Sequence, residues 1–425
     1  MIHKILFGNN KNILKRSYIY NMIAGVINAL KAVILLMIVT RITGLEDAGI
    51  LTLAFAVSNL LVTIGKFGVR NYQVTDINCK FNFSNYLQAR IFSVLLMIAC
   101  SIIYCVYSFI YLNTNINKVI VIFIICIINA VEAMEDVFGG KYQKDGRLDV
   151  ASIIFCIRWI ITVICFGIAL YITKNLLISS LIALLTTLII SIVLVSISST
   201  NFEFNTVQNH DLKKLLKYCF PLFAGAFFMI YLTNSPKYAI EMYLSDEIQA
   251  CYGFVSMPIF VIELLNNFLY QPKLVKIADC WETGKLYVFK KYIFKQCITL
   301  IILTFICIVG ASIFGIPILS LLYDTNLSEY KMVLLIVLVG GGLLAFTGFF
   351  AVLLTVMRRQ NWMMYCYIAV SVFSIIFMNL AVSSYGLLGG AILFDILIFI
   401  LSGTLLLCVF YAYRKKQNII RGGYK

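Results

Sequence analysis

Charge is what this 425-residue sequence has least of. Only 12% of its residues are Asp, Glu, Lys or Arg and 62% are hydrophobic, whereas a soluble domain is roughly one-quarter charged. With a mean hydropathy of +0.95, a soluble globular fold is excluded, and an integral membrane protein built of helices is expected. Histidine occurs twice, as His3 and His210, and neither belongs to a His-Glu-x-x-His pair. No Gly-x4-Gly-Lys-Ser/Thr loop is present to cradle a nucleotide, which argues against direct ATP coupling. The 13 cysteines are scattered singly through apolar runs without metal-type spacing, as small buried apolar residues would be. No catalytic residue, metal or cofactor is therefore expected. The basic start (Lys4, Lys11, Lys15, Arg16) leads to no short apolar region with a small-residue cleavage site, so the first helix is predicted to stay in the mature chain.

What is present is a series of membrane-length apolar runs. At about 20 residues per crossing, the sequence predicts an all-α polytopic protein of twelve transmembrane helices. They fall at roughly 18–42, 47–69, 87–112, 117–138, 149–172 and 175–199, then 217–243, 247–270, 293–323, 330–357, 363–383 and 385–412. Connections are short, so no soluble catalytic domain fits between them. Twenty-seven Lys and Arg lie in connections on the N-terminal side, against Arg41, Lys118, Lys174, Lys237 and Lys331 on the other. By the positive-inside rule both termini face the cytoplasm. This distribution accounts for the net charge of +15 without a nucleic-acid partner.

The two halves carry weak internal similarity. Ala24-Gly25 and Ala224-Gly225 each open an apolar helix that ends in a short acidic turn, Leu45-Glu46-Asp47 and Leu244-Ser245-Asp246-Glu247. Six spans per half implies parallel repeats related by a pseudo-two-fold axis along the membrane normal. The expected organisation is an N-terminal six-helix bundle (1–199), a polar cytoplasmic linker (200–212) and a C-terminal six-helix bundle (213–425). This is a transporter layout, with substrate expected between the halves.

Charges inside the spans mark the candidate site. Lys31 sits near the middle of the first span, where a lone ammonium costs at least ~2.5 kcal/mol and calls for a partner or a wet cavity. Arg158 lies within the fifth span and Arg70 at the cytoplasmic end of the second. Lys237 stands four residues before Glu241, the spacing of a helical ion pair. Glu263 and Asp395 are deep acids without a local partner, readable as proton or sodium sites or as counter-ions of Lys31 or Arg158. Glu132, Glu135 and Asp136 end the fourth span and read as solvated charge. On this reading the deep charges of the first half are all cationic, which suits phosphate or pyrophosphate oxygens and an anionic substrate.

The segment Ser17-Tyr-Ile-Tyr-Asn-Met-Ile-Ala-Gly-Val-Ile-Asn-Ala29, with Val39-Thr-Arg-Ile-Thr-Gly-Leu-Glu-Asp-Ala-Gly49, resembles the opening of bacterial polysaccharide flippases. Gly65-Lys-Phe-Gly-Val-Arg-Asn-Tyr-Gln-Val-Thr-Asp76 and Tyr86-Leu-Gln-Ala-Arg90 extend the likeness. It is to Wzx-type O-antigen and capsule repeat-unit flippases of the multidrug/oligosaccharidyl-lipid/polysaccharide exporter superfamily, and it covers about the first 90 residues. The resemblance implies a V-shaped pair of bundles that carries an undecaprenyl-diphosphate-linked oligosaccharide across the bacterial cytoplasmic membrane by alternating access, for capsule, exopolysaccharide or O-antigen synthesis. Arg70 resembles a cavity arginine of the lipid II flippases, although twelve spans rather than fourteen leave out their extra lipid-groove helices. Lys31, Arg70, Arg158 and Lys237 are then the expected substrate-binding residues, with Glu263, Asp395 and Glu241 as ion-coupling sites or counter-ions. Partners implied are the lipid-linked oligosaccharide, membrane lipids, and a polymerase and glycosyltransferases, with the flippase itself a monomer. The rival readings are a multidrug exporter of the same superfamily, which would want acidic rather than basic cavity residues, and a membrane polysaccharide polymerase, whose large outer loop is missing here.

Overall fold

The computed structural model describes residues 6–8, 12–76, 80–200, 202, 209–259, 261–262, 265–266 and 274–422. Among these residues the chain is helical throughout and forms two compact units, Met1–Ile230 and Tyr231–Lys425. Ten described helices are long and apolar enough to cross a membrane.

In the first unit, α1 (Ile13–Thr43), α2 (Leu45–Lys66), α4 (Phe83–Tyr111), α5 (Ile116–Lys144), α6 (Leu148–Thr173) and α7 (Leu176–Ser198) match the first six expected spans to within a few residues. A short helix, α3 (Val69–Thr75), lies between α2 and α4. Polar residues at the breaks set the boundaries. Asn82 and Asn85 close a reciprocal capping box at the start of α4, and the Asn175 side chain accepts from the Ile178 N–H at the start of α7; each supplies a partner to an otherwise orphaned N–H. The α2–α3 corner passes through left-handed backbone at Phe67 and Gly68.

Two apolar clusters fix the end of the unit that carries the α5–α6 turn. Val69, Tyr86, Ala89 and Val137 pack with Leu215 and Cys219 of α8 (Asn209–Tyr243), so the start of α8 belongs to the first unit. Leu6 packs with Tyr142, Val150, Ile153, Ile154 and Leu194, and Leu6 is fully buried. This N-terminal segment is strapped down by charge. The Arg16 guanidinium donates to the Leu6 carbonyl at 2.6 Å and that of Arg147 to the Phe7 carbonyl at 2.7 Å. Both guanidiniums stand 3.1 Å from the fully buried Asp149 carboxylate. Asp149→Ala would leave two poorly hydrated cations without an anion, and it is expected to cost about 3 kcal/mol, read as a lower thermal-aggregation midpoint in detergent.

Asp76, between α3 and α4, is a second clamp. Burial would raise its carboxyl, but hydrogen bonds from Tyr86 Oη at 2.7 Å and from the Lys80 and Phe81 N–H groups at 3.1 and 3.2 Å hold it below the ordinary range. A depressed carboxyl stabilises the fold above its unfolded-state value. That contribution is lost as pH falls through the folded one.

The second unit holds the rest of α8, α9 (Asp246–Ser256), α10 (Leu274–Glu282), α11 (Leu286–Gly310), α12 (Ile316–Tyr323), α13 (Lys331–Val356) and α14 (Gln360–Gly422). A wide turn of π-helix at Ala311–Gly315 joins α11 to α12, so the expected ninth span is one continuous path. α14 is broken at Gly386 (φ 58°, ψ −145°), which separates the eleventh and twelfth expected spans. The expected eighth span starts as α9, and part of its remainder lies outside the described residues. Within the unit, Gln296 donates to Asn266, and Asn266 in turn donates to the Ala345 carbonyl. This satisfies amides buried between apolar helices.

Candidate functional site

Three carboxylates on α5 organise the first unit. Glu132, Glu135 and Asp136 are spaced i, i+3, i+4 and therefore share one helix face. That face turns inward: their side chains are only 13%, 11% and 14% exposed. The solvated placement expected for them is corrected here. Five surrounding helices supply them with cations.

Glu132 is the hub. Lys66 Nζ from α2 stands 2.9 Å from its carboxylate, Lys31 Nζ from α1 at 3.4 Å and Arg158 Nη2 from α6 at 3.7 Å. Trp159 Nε1 also donates to it at 3.3 Å. The Lys31 ammonium lies 4.4 Å from the centre of the Trp159 ring, a cation–π contact that helps to hold a charge out of water. Glu135 accepts from Arg158 Nε at 2.8 Å and from Ser191 Oγ at 2.9 Å. Asp136 bridges Arg70 and Arg90, at 2.9 Å from each. Arg90 Nη1 also donates to the Gly65 carbonyl at 2.8 Å, and the Arg70 guanidinium donates to Gln143 Oε1. Room for Arg70 and Gln73 comes from the Gly139-Gly140 pair of α5. A methyl group on Gly140 would collide with the Gln73 amide and press on Arg70.

The partners of Lys31 and Arg158 are thus Glu132 and Glu135, rather than the Glu263 or Asp395 weighed from sequence. Hydropathy gives a residue's depth but not the direction it faces, and the acids of α5 were hidden in a run that looked cytoplasmic. Glu263 lies outside the described residues. Asp395, in the second unit, packs against the backbone of α13 at Gly340, where a side chain would strike its Oδ1. That oxygen has no hydrogen-bond partner. Lys237 and Glu241 are both half-buried on α8, one turn apart in the second unit.

The five cations do not share one environment. Arg90 and Arg158 are fully buried and act inside the protein, as posts that hold α4 and α6 to α5. Lys66 and Arg70 remain 37% and 31% exposed. They line a cavity of about 310 Å³ together with Asn28, Glu132, Glu135 and Asp136. Lys31 is 20% exposed and lines a separate, smaller cavity of about 50 Å³ with Asn59, Asn129, Trp159 and Thr162. Lys66 ends α2 and Arg90 lies two turns into α4, near the cytoplasmic border expected of that span, where sequence offers solvent as the default. The signal was there in the Lys66–Arg70 spacing across the α2–α3 corner. Five cations against three carboxylates leave the cluster two charges positive.

The first unit is thus a bundle of apolar helices around a buried polar cluster. Solved structures share the fold of the chain. One is an inward-facing multidrug resistance MATE family transporter of the MOP superfamily, with a TM-score of 0.71 and 12% identity over 92% of this chain and 96% of that one. Another is a MOP superfamily transporter from Pyrococcus furiosus, described by a reversed polarity of its binding pocket, with a TM-score of 0.60 and 10% identity over 98% of each chain. At these identities the likeness is one of fold, that of a multi-pass helical membrane protein. The sequence takes the assignment further: residues 14–277 match the polysaccharide biosynthesis protein family, and the chain belongs to that family. It is also 23% identical to the capsular polysaccharide biosynthesis protein CapF of Staphylococcus aureus, over 94% of this chain and 99% of CapF.

Proposed function

We propose that the protein is a flippase that moves a lipid-diphosphate-linked oligosaccharide repeat unit across the cytoplasmic membrane by alternating access, with both termini in the cytoplasm. The observation that carries this reading is the net positive cluster of the first unit, with Lys66 and Arg70 open to a cavity. Ammonium and guanidinium groups there can meet pyrophosphate oxygens with short, charge-assisted hydrogen bonds. Glu132 and Asp136 hold the same cations, so an arriving diphosphate exchanges one set of anionic oxygens for another and leaves no ammonium stranded. Lys31 and Arg158 contribute by fixing the α5 carboxylates. Lys237, in the second unit, is the remaining candidate for a contact to the substrate.

The test is a deletion strain. Loss of this protein is expected to halt polymer export and to leave lipid-linked repeat units accumulating on the cytoplasmic face. Unchanged export, with new sensitivity to cationic drugs, would instead support multidrug efflux. Lys31→Ala and Arg158→Ala are expected to reduce export, and normal export in both would contradict the role given to the cluster.

Coupling is assigned to Asp395. A carboxyl at membrane depth with one oxygen unpartnered is costly to ionise, so gain and loss of a proton there can drive a change of packing against Gly340. Asp395→Asn is expected to make export insensitive to collapse of the pH gradient. If export in this variant still falls when the gradient is collapsed, coupling lies elsewhere; the membrane potential can also act directly on an anionic cargo.

A further inference from the structure

The start of α11 presents lysines that have no ion-pair partner among the described residues. Its inner face is packed: Leu286, Phe289, Gln296 and Leu300 are buried. Phe289 meets Trp281 of α10 and Tyr413 of α14, with ring centres 5.1 and 6.5 Å apart, and Tyr413 Oη donates to the Leu286 carbonyl. The outer face repeats at helical spacing through Tyr287, Lys291, Phe294, Ile298, Ile301 and Phe305. All of these are exposed, Tyr287 by 81% and Phe294 by 67%. Lys290 and Lys295 flank the same stripe and are exposed as well.

No acid stands in the first turn of α11. The acid at the end of α10, Glu282, faces Arg358 of the α13–α14 connection at 3.7 Å. Lys416, by contrast, is folded onto the Trp281 ring. Lys290, Lys291 and Lys295 therefore have no ion-pair partner among the described residues.

We infer that Lys290, Lys291 and Lys295 form a headgroup site for an anionic phospholipid, with its acyl chains against Ile298, Ile301 and Phe305. Charge complementarity gives the headgroup its sign. The unbroken apolar stripe beneath the lysines selects a lipid over a soluble anion, because any molecule bound there has hydrocarbon contact directly below. Tyr287 and Phe294 bracket the lysines as interfacial aromatic rings do at the headgroup level. Basic residues at that level attract anionic lipid.

The test uses the full chain in detergent, with added phosphatidylglycerol or phosphatidylcholine and the thermal-aggregation midpoint as readout. Phosphatidylglycerol is expected to raise the midpoint of the wild type above that in phosphatidylcholine, with lipid retained in native mass spectra. Lys290→Gln/Lys291→Gln/Lys295→Gln should keep the wild-type midpoint in phosphatidylcholine and bind phosphatidylglycerol roughly a hundredfold more weakly. Lys213→Gln/Lys214→Gln/Lys217→Gln, which removes three exposed lysines from α8, should leave the preference intact. The inference is overturned if the wild type shows no preference, if the α11 variant retains it, if both variants lose it equally, or if inorganic phosphate alone gives the same rise. Should the triple variant fail to fold, Lys291→Gln alone must still weaken lipid retention.

Discussion

Glu132→Ala is expected to be the most damaging single substitution in the first unit. It strands Lys31 and Lys66 and takes from the fully buried Arg158 one of its two carboxylates, leaving only Glu135. Removing one side of a buried ion pair typically costs about 3–5 kcal/mol, because the remaining charge has neither partner nor water. The thermal-aggregation midpoint in detergent should drop sharply, and the yield of folded protein with it. Because the loss comes from stranded charge, a second substitution that removes one of those charges should recover part of it. Glu132→Ala/Lys66→Ala is predicted to be more stable than Glu132→Ala alone, as a double-mutant cycle would show. Additive losses would mean that the pair is not coupled. Glu132→Gln keeps an acceptor for Trp159 and Lys66 without the charge, and it should fall between wild type and alanine.

The second large effect concerns transport. Lys66→Ala and Arg70→Ala each remove one cation that faces the larger cavity, and neither residue is fully buried. Their loss should spare folding more than it spares export. A hydrogen bond to a charged group is worth about 1.5–3 kcal/mol, so each substitution is expected to lower repeat-unit export roughly ten- to hundredfold. Lys66→Arg preserves the charge and should retain most of it, whereas Lys66→Glu should abolish export. Equal export by wild type and both alanine variants would remove these residues from substrate recognition. A parallel fall in midpoint and export would assign them a structural role alone.

The expected spans and the described helices agree closely because apolar length and short polar breaks are local properties of the chain. Asn82, Asn115 and Asn175 punctuate it where the helices begin. The break at Gly386 was also legible, since two membrane lengths had to fit between Gln360 and the basic end. The charge partners were not. Lys31 could be recognised as misplaced, but its partner is 101 residues away and on a helix whose acids look terminal. Finding it needs the rotation of α5 about its own axis, which follows from packing against α2, α4 and α6 together. Lys66, Arg90 and the strap of Arg16, Asp149 and Arg147 were hidden for the same reason. Each lies at or within about two turns of a helix start or end, where sequence offers solvent as the default.

The direct measurement of the central claim is translocation by the purified protein in proteoliposomes, using a fluorescent lipid-diphosphate oligosaccharide whose outer-leaflet pool can be quenched. The wild type should flip it, with Lys66→Ala and Arg70→Ala slower by at least about tenfold. A neutral glycolipid carrying the same sugars should not be moved. Flipping of the neutral lipid at the same rate, or full activity in both variants, would contradict recognition of the diphosphate by the cluster around Glu132.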